Sequence, residues 1–133
     1  MPVGTARVLE HQLVHFFRKR VNWNDPAIAG GIYVGTLPAG AVLADAGVRV
    51  NTAFNAATTN VLQMGTTATG GEILANAVVL AGAAGYKSAK SGTAFAATLA
   101  VDTDVFVSYT QSGTAASAGQ ADLWVAYIPN TDQ

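Results

Sequence analysis

Two histidines lie four residues apart in "EHQLVH" (10–15), and they are the first side chains with the makings of chemistry. On a helix, His11 and His15 would share a face and could hold one metal ion, with Glu10 or Asp25 adding a ligand. On a strand the same pair stands about 13 Å apart. No third ligand falls at helical spacing, so two polar residues on a partly exposed face is the better reading. Asp102 and Asp104 look like a carboxylate pair for acid–base work. They flank the turn "VDTDV" (101–105), however, where Asp is favoured for its bonds to the backbone. "GAAGYKSAKSG" (82–92) has the ingredients of a phosphate loop but lacks the Gly-Lys-[Ser/Thr] ending that puts lysine on the phosphates. Cysteine is absent, which removes thiol catalysis and disulfides. These residues predict neither a cofactor nor a metal site, and a protein that is not an enzyme.

Two further groups read as recognition rather than reaction. "FFRKR" (16–20) interleaves aromatic and basic residues, as nucleic-acid sites do. The chain's net charge is −1 and the cluster is short, so no nucleic-acid partner is expected and an acidic protein surface fits better. Trp23, Tyr33, Trp124 and Tyr127 would suit sugar stacking if they stood side by side; on β-rich domains such residues more often anchor cores and interfaces.

The chain around these residues is bland. Half of its 133 residues are apolar and only 11% are charged, against about a quarter in a typical domain. Ala, Gly and Thr alone supply 26, 14 and 14 residues, a composition that suits burying much of the surface against neighbours. Charge is polarised: residues 1–24 carry four basic residues against Glu10, while residues 101–133 carry four aspartates and no base. No apolar run reaches the roughly 18 residues of a membrane span, and the opening "MPVGTARVLEH" lacks the layout of a secretory leader. Neither membrane nor export is therefore expected.

The positioning elements read as strands. "LVHFFRKRVNW" (13–23) alternates Leu13, His15, Phe17, Lys19, Val21 and Trp23 with Val14, Phe16, Arg18, Arg20 and Asn22, although a helical face is also conceivable near its start. "NDP" (24–26) stops it. "GIYVGTLPAGAVL" (31–43) predicts a strand, a Pro-Ala-Gly turn and a new strand. Val48, Val50, Thr52 and Phe54 then face opposite to Arg49, Asn51 and Ala53, with "NAATTN" (55–60) as a hairpin tip and "VLQMG" (61–65) as the return. "EILANAVVL" (72–80) suits a short helix or a strand equally. "TAFAATLAV" (93–101) and "DVFVSYT" (104–110) predict a hairpin, and "TQSGTAASAGQ" (110–120) a polar loop. "DLWVAYI" (122–128) is apolar on both faces, as in a strand covered twice. About eight short strands at this spacing predict an all-β fold, a jelly-roll-like antiparallel β-sandwich. The domain is expected over 13–133, behind an extended N-terminal arm over 1–12.

"GTLPAGAVLADAGVRVNTAFNAATTNVLQMGT" (35–66) and "VFVSYTQSGTAASAGQADLWVAYI" (105–128) resemble the head decoration, or cement, proteins of tailed bacteriophages. The likeness lies in Leu-Pro-Ala-Gly-Ala leading into Val-x-Val-x-Thr-Ala-Phe-Asn, and in a Tyr-Thr strand, a small-residue loop and an apolar last strand. It implies a non-enzymatic virion protein on the outer capsid surface, present in the host cytoplasm before assembly, that clamps neighbouring major capsid subunits and works as a homo-dimer or homo-trimer. Under it, Arg7, His11, His15, Arg18, Lys19 and Arg20 are expected to meet the capsid, and Trp124 and Tyr127 to sit at a subunit interface. The competing expectation is a carbohydrate- or receptor-binding module of a fibre or tail, using loops 55–60 and 111–120.

Overall fold

The structure, a computed structural model, describes residues 14–88 and 98–129. Among these are seven antiparallel strands: β1 (His15–Asn22), β2 (Ile32–Leu37), β3 (Val42–Thr52), β4 (Thr59–Gly65), β5 (Gly85–Ser88), β6 (Thr103–Ser112) and β7 (Gln120–Ile128). They form a four-stranded sheet in the order β1-β7-β3-β5 and a three-stranded sheet in the order β2-β6-β4. The expected all-β sandwich is what the chain builds.

Odd-numbered strands fill one sheet and even-numbered strands the other, so each successive strand changes sheet. This corrects the hairpin expected over 48–65. Val50 pairs with Ala121 and Leu62 with Tyr109, so 55–60 is a crossing between sheets and not a hairpin tip. The expected strand, Pro-Ala-Gly turn and strand of 31–43 are present, the turn forming a corner between β2 and β3. Turn residues reverse the chain, but they do not choose the sheet that receives the next strand. The pairings nest instead: β1 with β7, β2 with β6, β3 with β5, and β4 with a single bridge from Met64 to Leu74.

Periodicity decides the strand assignments. In β1, Val21 is buried and Phe17 packs on the core while Phe16, Arg18 and Arg20 are exposed, a period of two that a helix would not give. The inner faces contribute Val48, Val50, Leu123 and Val125 from one sheet and Leu62, Met64, Val105, Val107 and Tyr109 from the other, all at most 2% exposed. Each such side chain contributes about 1.5–3 kcal/mol of burial free energy. The ambiguous stretch 72–80 resolves into both readings, the Leu74 bridge followed by one helical turn, α1 (Asn76–Val79). Ile73, Leu74, Val79 and Ala81 are fully buried there, packing α1 against β4 and β5. The predicted strand 93–101 falls largely on residues outside those described; 98–101 is irregular.

Tyr109 shows how polar groups are kept inside. Its ring packs on Phe54 at 4.6 Å, and its hydroxyl donates to Asn60 Oδ1 at 2.6 Å. The same Asn60 side chain accepts from the Ala56 N–H and donates to the Ala56 carbonyl. A buried phenol thus keeps its partner, and the crossing before β4 is pinned to the core.

Candidate functional site

Strand β7 is central in the four-stranded sheet, and its alternation splits an apolar sequence in two. Ala121, Leu123, Val125 and Tyr127 point into the core; Asp122, Trp124 and Ala126 point outward. Register then aligns neighbours in rows across the outer face. Arg20 of β1, Asp122 of β7, Arg49 of β3 and Tyr86 of β5 form one row. Arg18, Trp124 and Gly47 form the next, and Phe16 and Ala126 the one beyond. On the other side of the charged row lie Asn22, Gln120 and Asn51.

Asp122 is the centre of this face. Arg20 grips its carboxylate twice, Nε to Oδ1 at 2.9 Å and Nη2 to Oδ2 at 3.1 Å. Asn51 Nδ2 donates to Oδ2 at 3.1 Å, and Arg18 Nη2 stands 3.6 Å from Oδ1. The Arg20 hydrogen bonds hold the carboxyl at about 2, below the ordinary 3.8, against the upward push of burial. Asp122 is therefore ionised at any ordinary pH, with three hydrogen bonds on its carboxylate. It organises its neighbours across the face.

Trp124 is half-buried and lies over Gly47. A Cβ on Gly47 would fall 2.6 Å from the indole Cζ2, so only glycine leaves the ring room to lie flat on the sheet. Phe16 approaches the indole at 6.1 Å between centroids and is 59% exposed. Arg49, Asn51, Ala84, Gly85 and Tyr86 line a shallow groove that continues the face over β5. Arginine, tryptophan and tyrosine on a rigid sheet are the residue types that carry binding energy at interfaces.

Several expected site residues separate. Arg18 and Arg20 share the outer face, but Lys19 between them points to the other side of β1, as period two demands. His15 and Tyr127 are register partners on the inward side, with rings 5.5 Å apart. Tyr127 is 8% exposed and packs on Phe17, so of the two expected interface aromatics only Trp124 faces outward. Arg7 and His11 lie outside the described residues. Among those described, no three His, Asp or Glu side chains converge as metal ligands. Asp102 Oδ1 accepts from the Ala39 N–H in the Pro38–Gly40 turn, whereas Asp104, within β6, accepts from the hydroxyl of its register partner Thr36, both at 2.8 Å. Lys87, in the stretch with phosphate-loop ingredients, donates to the Leu80 and Ala83 carbonyls.

The sequence reading missed Arg49 and Asp122. Both signals were present: Arg49 on the polar side of an alternating strand, and one aspartate inside an otherwise apolar strand, where a charge needs a partner. The two loops named for ligand binding do meet. Asn55 Oδ1 accepts from the Ser117 and Ala118 N–H groups, stitching 55–60 to 111–120, but neither loop contains an aromatic residue.

No protein-family model matches the sequence, and no curated protein matches it. Three solved structures share the fold. A chain in the capsid asymmetric unit of cyanophage Pam1 aligns with a TM-score of 0.60 at 20% identity, covering 90% of this chain and 86% of that one. A chain in the acid-stable capsid of Helicobacter pylori bacteriophage KHP30 gives 0.62 at 16% identity, with 89% of both chains covered. A chain in the capsid of Ralstonia phage GP4 gives 0.59 at 21% identity, covering 98% of this chain and 90% of that one.

Proposed function

We propose that this chain is a non-enzymatic virion protein that binds the outer surface of a phage capsid and clamps neighbouring major capsid subunits. The observation that carries this reading is its likeness, over at least 89% of its length, to chains in three phage capsid structures. The nested strand pairing supports a jelly roll, a long hairpin rolled into two sheets, with the eighth strand reduced to the Leu74 bridge. A sheet face carrying anchors but no reactive group suits a clamp, which works through buried area and fit. A protein that binds only the assembled lattice stabilises it by mass action, and self-association as a dimer or trimer would multiply each contact.

The test is co-sedimentation of purified protein with matching capsids assembled without it, at low and high salt. Stoichiometric binding that weakens with salt is expected, because Arg18, Arg20 and Arg49 stand on the outer face of the four-stranded sheet. Failure to sediment at either salt removes the capsid reading.

A further inference from the structure

We infer that the outer face of the four-stranded sheet is a docking surface for a carboxylate-bearing protein segment, with Arg18 and Arg49 pairing to its acids and Trp124 as its apolar anchor. This deepens the capsid reading and rests on it: the segment belongs to the capsid subunit the protein clamps.

All three arginines among the described residues stand on this one face. Asp122 occupies Arg20 with two hydrogen bonds. Arg18, by contrast, keeps 66% of its side chain exposed at 3.6 Å from that carboxylate. Arg49 is exposed and forms no hydrogen bond or ion pair with another described residue. Two guanidiniums with donors to spare therefore flank a flat indole. Their planar fork matches a carboxylate in two-point geometry.

The partner's chemistry follows from the charge balance. Three arginines against Asp122 and Asp45 leave the face an excess of one positive charge. A nucleic-acid strand brings a phosphate at every nucleotide and calls for an unbroken run of cations. Here Asp122 interrupts the row and Lys19 is turned away, so one or two isolated acids on a protein are the better complement. The face measures about 20 by 25 Å from strand spacing and rise, about 500 Å². That is below the ~800 Å² per partner of a standard interface, and the charge pairs add specificity and a faster association rate to the fit around Trp124.

The test compares wild type, R18Q/R49Q and K19Q in co-sedimentation with capsids assembled without the protein, each first shown by thermal melting to be folded. R18Q/R49Q leaves the Arg20–Asp122 pair in place, and K19Q removes the adjacent charge from the other side of the strand. The expected result is an affinity for R18Q/R49Q at least about tenfold weaker, with a shallower salt dependence, and K19Q equal to wild type. If the double variant does not fold, R49Q alone must still weaken binding. Wild-type sedimentation with R18Q/R49Q unchanged, or with K19Q equally impaired, overturns this face while leaving capsid binding intact. Wild type that does not sediment overturns both readings. A shift of an oligo-dT probe by wild type at physiological salt, lost in R18Q/R49Q, overturns the assignment to a protein acid.

Discussion

At the scale of single residues, Asp122 decides how the outer face responds to acid. Its carboxyl titrates at about 2 in the folded chain and near 3.8 when unfolded, so the ionised form favours folding. That contribution is complete above about pH 5 and disappears as pH falls toward 2. Its size is about 1–2 kcal/mol, since the partner guanidiniums are solvent-exposed and screened. D122N should therefore be less stable than wild type at neutral pH, and its melting temperature should fall less steeply between about pH 5 and pH 2. Melting curves across that range check this; parallel curves would show that Asp122 contributes nothing through its charge.

At the scale of elements, the Tyr109–Asn60–Ala56 network separates a lost bond from orphaned partners. Y109F removes one hydroxyl and leaves Asn60 its bonds to Ala56, so it should cost about 1 kcal/mol. N60A strands a buried phenol together with the Ala56 N–H and carbonyl, and should cost about 2–4 kcal/mol. Denaturant midpoints would rank the two variants, and equal losses would show that Asn60 does no more than accept one bond. The elements also show what was legible from the chain alone. Val48, Arg49 and Val50 announce their faces through a local period of two, and β1 identifies itself in the same way. The pairings were not legible. Arg20 reaches Asp122 across 102 residues, and nothing near either position names the other. The crossings look like hairpin turns because the same Asn, Gly and Thr chemistry serves both. The site was half visible for this reason: sequence gave the side of each strand, and only the order of strands brought Arg18, Arg49, Asp122 and Trp124 into adjoining rows.

At the scale of the whole molecule, the nested pairing places the last strand at the centre of a sheet. β7 lies between β1 and β3 and supplies Leu123 and Val125 to the core. On a ribosome making about 5–20 residues per second, β1 emerges and waits for about a hundred positions of synthesis before its partner exists. Until then β1 and β3 display unpaired edges and uncovered apolar faces, the features that invite aggregation. A chain truncated after Gly119 should accordingly be insoluble or protease-sensitive, whereas a fold built from sequential hairpins would keep a protected fragment. Limited proteolysis of that truncation distinguishes the two. Completion thus waits on the synthesis of β7, so chains that lack it present no assembled outer sheet face.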